Sequence, residues 1–202
     1  MKLFHAPTSP YVRKVLIAAR ELALADRLEH VTVTAMPQAP AREIAPHNPL
    51  MKIPTLVRDD GTSLYDSIVI CEYLDALGGG ALFPPAGEPR WRALRLNALA
   101  DGMMDASVLL RYETVMRPEA MRWQPWIDGQ FAKVDGALDE AEREAATFPA
   151  AFDIGQIALV CALGYLDFRY ASRPWRPGRP QLERWFAQRC ERESVRATAP
   201  VG

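Results

Sequence analysis

Up to position 77 the apolar residues come in short strand-like runs separated by amphipathic helical stretches; beyond position 89 they recur at helical spacing only. Lys2-Leu3-Phe4-His5 is a short strand candidate, followed by a loop with two prolines, Ala6-Pro7-Thr8-Ser9-Pro10. Ser9 suits an N-cap and Pro10 the first helical position. The helix they open places Val12, Val15, Leu16 and Ala19 on one face, with Arg13, Lys14, Arg20 and Glu21 elsewhere. A second strand is expected over residues 28–34, then an irregular polar stretch over 37–46 with a short helix around 41–44. Ile53-Pro54-Thr55-Leu56-Val57 reads as a strand with its proline at the start, where a missing N–H does least damage. Asp59-Asp60-Gly61 is a turn signal, and Ser63-Leu64-Tyr65 is the return strand of a hairpin. Asp66-Ser67 then opens a helix with Ile70, Leu74 and Leu77 at helical spacing.

This order is α/β, thioredoxin-like, with an antiparallel hairpin near its end. Gly78-Gly79-Gly80, Pro84-Pro85 and Gly87 to Pro89 punctuate a linker over 78–89. Four helices are expected beyond it: 90 to about 117; 126–146, with Phe131, Val134 and Leu138 inward; 153–170; and 180–192, with Leu182, Trp185 and Phe186 at helical spacing. The third is apolar nearly all round, which places it in the middle of a bundle. Asp153 with Gln156 is a capping-box-like pair at its start, and Phe152 with Ile157 a hydrophobic staple. The division is therefore an α/β unit over 1–77, a linker over 78–89 and an all-α bundle over 90–202.

Composition narrows the function classes. The 202 residues allow one large or two small domains, and 49% hydrophobic with 24% charged residues is the profile of a soluble globular protein. A net charge of −1 offers no electrostatic argument for nucleic acid or an anionic membrane. No apolar run reaches the ~20 residues that span a bilayer, and MKLFHAPTSP lacks the long apolar stretch of a signal peptide. The three cysteines, Cys71, Cys161 and Cys190, form no CxxC pair; the first two sit in apolar helical runs, a usage that fits a reducing cytoplasm. His5, His30 and His47 are scattered, so no metal site is expected.

On residues alone, Pro54 and the Asp66-Ser67 pair lie side by side at one mouth of a small sheet, or belong to an ordinary hairpin and capped helix. Asn48-Pro49-Leu50, then Lys52-Ile53-Pro54-Thr55-Leu56, then Asp66-Ser67 with Ile70-Cys71-Glu72-Tyr73-Leu74, resemble in order and spacing the glutathione-binding half of a glutathione S-transferase. The resemblance runs on through 98–106, 161–169 and the C-terminal 192–194 with 198–200, as in a bacterial branch of the family. It implies a thioredoxin-like N-terminal domain, an all-helical C-terminal domain and a homodimer. It also implies a cis Pro54, with the Ile53 backbone pairing with the cysteinyl part of glutathione. The γ-glutamyl end falls to Asp66, for its ammonium, and to Ser67 with a helix N-terminus, for its α-carboxylate. The family's capping box, usually Ser or Thr followed by Asp, is matched at 153–156 in mechanism more than in letters.

Where a thioredoxin carries its CxxC, this chain has Ser9-Pro10-Tyr11-Val12, without a nucleophilic cysteine. The resemblance makes Ser9 the donor to the glutathione sulfur, with Thr8 in reserve; without it, Ser9 is the cap of its helix. Lys52 is either a carboxylate contact or a solvated loop lysine, and Tyr11 an aromatic wall or a packing residue. The acceptor is expected between the domains, near Tyr11 and, on the long helix, Met103, Met104, Val108, Arg111 and Tyr112, with Phe168 and Arg169 as weaker candidates. Asp101 and Asp105, four apart on one helix, read as cleft-lining, interfacial or structural, one of them paired to an arginine such as Arg13 or Arg95. The reaction implied is attack of the glutathione thiolate on a small electrophilic, partly apolar substrate. Its alternatives are a non-catalytic glutathione or ligand-binding protein of the same fold, and a glutathione-dependent reductase.

Overall fold

The structure, a computed structural model, describes residues 1–200. Strand β1 (Lys2–His5) leads into α1 (Pro10–Glu21), and β2 (Glu29–Thr32) returns parallel to β1. After a 3-10 turn (Arg42–Ile44), β3 (Thr55–Val57) pairs antiparallel with both β1 and β4 (Ser63–Leu64), giving the sheet order β2-β1-β3-β4. Helix α2 (Ser67–Gly78) follows β4. The helical part comprises α3 (Glu88–Arg111), α4 (Gln124–Ala145), α5 (Ile154–Arg169), α6 (Pro180–Cys190) and the short α7 (Glu193–Arg196). This is the thioredoxin-like sheet with an all-helical partner that the hydrophobic pattern implies.

The two-residue period of the strands separates the sheet faces. Leu3 and Leu56 join the main core with α1 and α2, whereas Phe4 and Val57 join Val33, Ala41 and Ile44 in a smaller cluster on the other face. The main core is continuous with that of the bundle, because α1 packs on α2 and also on α3, α5 and α7. That position corrects the expectation for α1. Its polar residues are not confined to a solvated face: Arg13 and Lys14 are buried, and Ile17 is more deeply buried than Leu16.

Helix α5 is buried from Ile154 through Leu166 and packs mainly on α3. Close approach is possible because position 155 is glycine: a Cβ there would stand 2.5 Å from the Ala93 carbonyl oxygen. Asp153 caps the helix by accepting the Gln156 N–H at 3.0 Å. The reciprocal arm of a capping box is missing, since the Gln156 amide donates instead to the Pro149 and Ala151 carbonyls at 2.9 and 2.6 Å. Helix α3 begins at Glu88, inside the stretch read as linker, with Pro89 fitting its first turn. It ends at Arg111 in a π-helical turn, Tyr112–Met116. The segment between α2 and α3 is held down by the buried Asp75, whose carboxylate accepts the N–H groups of Ala81, Leu82 and Phe83 at 2.7–3.1 Å.

Candidate active site

Strand register brings three separate loops to one edge of the sheet. Phe4 faces Thr55, so the end of β1, and with it the loop to Ser9, lies beside the start of β3 and Ile53-Pro54. Leu64 faces Leu56, so β4 runs back to the same edge and delivers Asp66 and Ser67 there. Two helix N-termini, those of α1 and α2, thus open beside one proline loop. Their unpaired N–H groups and dipoles favour an anion.

Ser9 is the N-cap of α1; its hydroxyl oxygen accepts the Val12 N–H at 3.3 Å. Among the described residues no acceptor takes the Ser9 O–H, so capping and donation are compatible. Thr8 lies next to it, and both line a small recess with Pro10, Arg13, Cys161, Tyr165 and Pro200. The Ile53-Pro54 peptide is cis, as is Tyr65-Asp66. A buried polar knot shapes the proline loop: the Asn48 amide donates to Thr55 Oγ1 at 3.0 Å and to the Lys52 carbonyl at 3.3 Å, and the Thr55 hydroxyl donates to that same carbonyl at 2.8 Å. Lys52 is exposed and Ile53 half-buried. Asp66 caps α2 by accepting the Ile68 N–H at 3.2 Å, and Ser67 is buried behind it.

The acidic pair on α3 resolves into two separate roles. Asp101 pairs not with an arginine but with Lys14 of α1, at 2.7 Å, inside a network completed by Asn97, whose amide donates to Asp101 at 2.8 Å. Burial pushes the Asp101 carboxyl above its usual range despite the pull of Lys14. Asp105 accepts a hydrogen bond from the Tyr11 hydroxyl. Burial first, and that hydrogen bond second, push the Tyr11 phenol far up, so it stays protonated and aimed at Asp105. The aromatic ring of Tyr11 is therefore fixed across the head of α1 and the middle of α3.

Val108 and Tyr112 share the helix face of Asp105 and are partly exposed, as is Arg111. Met104, expected beside the acceptor, is fully buried in the main core together with Met103, because its side chain projects from α3 toward the packed interior. Phe168 and Arg169 are half-buried at the end of α5, with the Arg169 guanidinium 3.9 Å from the Phe168 ring centre. Cys71 and Cys161 are fully buried, and desolvation pushes both thiols up to about 12, which makes them poor nucleophiles. Tyr165 and the Asn48–Thr55 knot adjoin these candidate residues and carry no pattern that singles them out. Tyr165 sits in an apolar run, and its spacing of four from Arg169 was its one signal. No cluster of three or more histidine, cysteine or acidic side chains that could hold a metal occurs among the described residues.

Comparison with known proteins decides the family. Residues 3–81 match the family model for the glutathione S-transferase N-terminal domain, and residues 124–188 that for the C-terminal domain. The chain belongs to the glutathione S-transferase family. Similar members of this family include YibF of Escherichia coli K12, an uncharacterized GST-like protein that is 32% identical over 99% of this chain and 98% of its own. A glutathione transferase family member from Pseudomonas fluorescens Pf-5, crystallised with bound glutathione, is 46% identical with a TM-score of 0.93, covering 100% of this chain and 99% of that one. A second crystal structure from Pseudomonas fluorescens Pf-5, with bound S-(propanoic acid)-glutathione, is 45% identical with a TM-score of 0.92 over 100% of both chains. Among the described residues no helix is long and apolar enough to cross a membrane.

Proposed function

We propose that the protein is a cytoplasmic glutathione transferase that joins the glutathione thiolate to a small, partly apolar electrophile. The observation that carries this reading is the Ser9 hydroxyl at the head of α1, whose oxygen is used by the helix cap while its proton remains available. A free thiol has a pKa of about 8.5; a hydroxyl donor and a helix N-terminus together favour its ionised form. In this reading Ser9 donates to the sulfur, the Ile53 backbone before Pro54 holds the cysteinyl part, and Lys52 meets a carboxylate. Asp66 takes the γ-glutamyl ammonium, and Ser67 with the start of α2 takes its carboxylate. Glutathione bound in crystals of a family member 46% identical to this chain supports glutathione as the co-substrate.

The acceptor lies between the 1–77 unit and the helices beyond 90, against Tyr11, Val108, Arg111 and Tyr112. The thiolate attacks the electrophilic carbon and forms the C–S bond. The displaced electron pair leaves with an anion, or moves to the neighbouring carbon of an activated double bond and takes a proton from water. Ser9 stabilises the attacking charge, and the site supplies proximity. We read the functional unit as a homodimer; the exposed Leu50, Val69 and Trp91 are apolar surface on or beside the elements that carry the glutathione side.

Calorimetric titration with glutathione, followed by mass detection of thioethers from a panel of electrophiles, tests the reading. Binding with thioether formation is expected. Binding with no product from any electrophile would make the protein a non-catalytic glutathione binder, and consumption of glutathione only into its disulfide would make it a reductase. Sedimentation at micromolar concentration should give twice the 22.6 kDa chain mass; a single species at the chain mass would remove the dimer.

A further inference from the structure

We infer that Arg13 is a positioning residue of the site: its buried guanidinium, one helical turn behind Ser9, stabilises the thiolate of bound glutathione without touching it. The inference rests on the glutathione transferase reading and adds a second source of charge stabilisation to that of Ser9.

The backbone places the two residues together. The Arg13 N–H donates to the Ser9 carbonyl at 3.0 Å in the first turn of α1. Helical side chains lean toward the N-terminus of their helix, so the Arg13 side chain reaches back toward the level of Ser9. It lines the same tight recess as Thr8 and Ser9, closed on the α5 side by Cys161 and Tyr165. Helix α5 admits the guanidinium because position 164 is glycine, where a Cβ would collide with Arg13 Nη1.

Arg13 is only 7% exposed, yet it has no carboxylate partner among the described residues. Its Nη2 donates to the Val195 carbonyl at 3.2 Å, and its buried Nε has no acceptor. Burying an unpaired charge is expensive. One neutral acceptor does not offset that cost, and pinning Val195 would need only a neutral donor. An anion bound at Ser9 does offset it.

The surrounding groups leave this charge standing. On α5 and α6 it faces Cys161, Tyr165 and Cys190, and burial pushes all three upward, so they stay neutral at neutral pH. On α3, Asp101 is held by Lys14, and Asp105, which accepts from Tyr11, is exposed to solvent. Glu21 is held by Arg192 at the far end of α1. Asp66 on α2 is exposed, and the exposed Glu193 on α7 pairs with Arg20. Water and salt screen the exposed carboxylates far more than the buried guanidinium. Four residues of helix rise about 6 Å, and a sulfur in contact with Ser9 lies about 3 Å further. A unit charge at roughly 10 Å, with an effective dielectric constant of about 20, shifts a pKa by about one unit. The proton that the thiol releases passes to water.

The test follows the ultraviolet absorbance of the thiolate as the full chain with saturating glutathione is titrated. Arg13→Met and Arg13→Gln remove the charge, the second keeping a donor for Val195, and Arg13→Lys keeps the charge. Both neutral variants should raise the pKa of the bound thiol by about one unit. Thioether formation should slow about tenfold below that pKa and converge on the parent rate in alkali. Arg13→Lys should restore most of the depression, and glutathione affinity at low pH should be unchanged throughout. A merely structural Arg13 would lower the melting temperature and leave the thiol titration where it was; that result, or an equal rise in the lysine variant, would overturn the inference. If both neutral variants fail to fold, the lysine variant decides: a titration in place supports the inference and one moved upward overturns it. A titration moved by Ser9→Ala but not by loss of the Arg13 charge would overturn this inference alone. A parent chain that does not bind glutathione would overturn the underlying reading with it.

Discussion

The ammonium of Lys14, completely buried on α1, lies 2.7 Å from Asp101 on α3, whose side chain keeps a quarter of its surface in contact with solvent. The pair fastens the α/β unit to the helical one at their shared core, close to the buried Cys71.

Removing one member of a buried ion pair leaves the other uncompensated. Lys14→Met is therefore expected to cost about 3 kcal/mol at neutral pH, at the lower end of the usual range because Asp101 is partly solvated. Without Lys14 the raised pKa of Asp101 moves higher still, so the folded variant binds a proton that its unfolded chain has already released. Stability then falls as pH rises through that interval, and the deficit of the variant shrinks on acidification. Urea unfolding of both proteins between neutral pH and pH 5 measures it. A deficit independent of pH would remove the electrostatic account, and the double variant Lys14→Met, Asp101→Leu should recover much of the loss.

Glu21 at the end of α1 forms the second bridge between the units. Arg192 donates to its two oxygens at 3.0 and 2.5 Å, and the Ser194 hydroxyl donates to it as well. Burial works to raise the Glu21 carboxyl, but the hydrogen bonds from Arg192 and Ser194 prevail and hold it below its ordinary value of 4.5. A depressed acid contributes stability that is complete above the unfolded value and is lost as pH falls through the folded one. Glu21→Gln should cost about 1 kcal/mol at neutral pH, a discounted figure because Arg192 is partly exposed. The difference from the parent should fade below pH 4, which thermal melts across that range would detect.

Much of this arrangement was legible in the sequence, for physical reasons that differ from residue to residue. Strong local signals set β1, the caps at Ser9, Asp66 and Asp153, and the hairpin around Gly61, and each appears where the letters place it. The burial of Lys14 and Arg13 is not legible in the letters, because charge argues for solvent only when no neighbour covers the helix. Here α1 is enclosed by α2, α3, α5 and α7, a fact that only the tertiary structure supplies. The burial of Met104 is likewise hidden, because spacing along α3 cannot say which of two apolar faces meets α5. The Asn48–Thr55 knot joins residues seven apart through a loop that obeys no period.

Gly155 lies where the backbones of α5 and α3 come close together. A Cβ at this position would meet the Ala93 carbonyl oxygen at 2.5 Å and Leu96 Cβ at 2.8 Å. The first of these belongs to the backbone and yields only if α3 or α5 moves. Gly155→Ala should therefore destabilise by about 2–3 kcal/mol, the cost of overpacking, even though alanine is the better helix former by ~1 kcal/mol. A melting temperature lower by several degrees is expected, and one equal to the parent would show that the two helices separate freely.

The last prediction divides binding from activation at the candidate site. Asp66 is proposed to grip the γ-glutamyl ammonium, remote from the sulfur, and it also caps α2. Asp66→Asn keeps the capping oxygen and removes the charge, so the helix should stand while glutathione binds roughly ten- to hundredfold more weakly, the value of a charge-assisted hydrogen bond. Ser9 is proposed to touch the sulfur. Ser9→Ala should leave affinity nearly unchanged at low pH, where the sulfur is a thiol in either protein. It should raise the pKa of the bound thiol and slow thioether formation at neutral pH, with the two rates converging as alkali ionises the sulfur without help. The ultraviolet absorbance of the thiolate follows that titration in the complex. Loss of the Val12 N–H cap would by itself lower stability by ~1 kcal/mol without moving the thiol. A destabilised variant with an unmoved titration would therefore make Ser9 a helix cap alone. The same titration on Thr8→Ala would then show whether the neighbouring hydroxyl holds the thiolate.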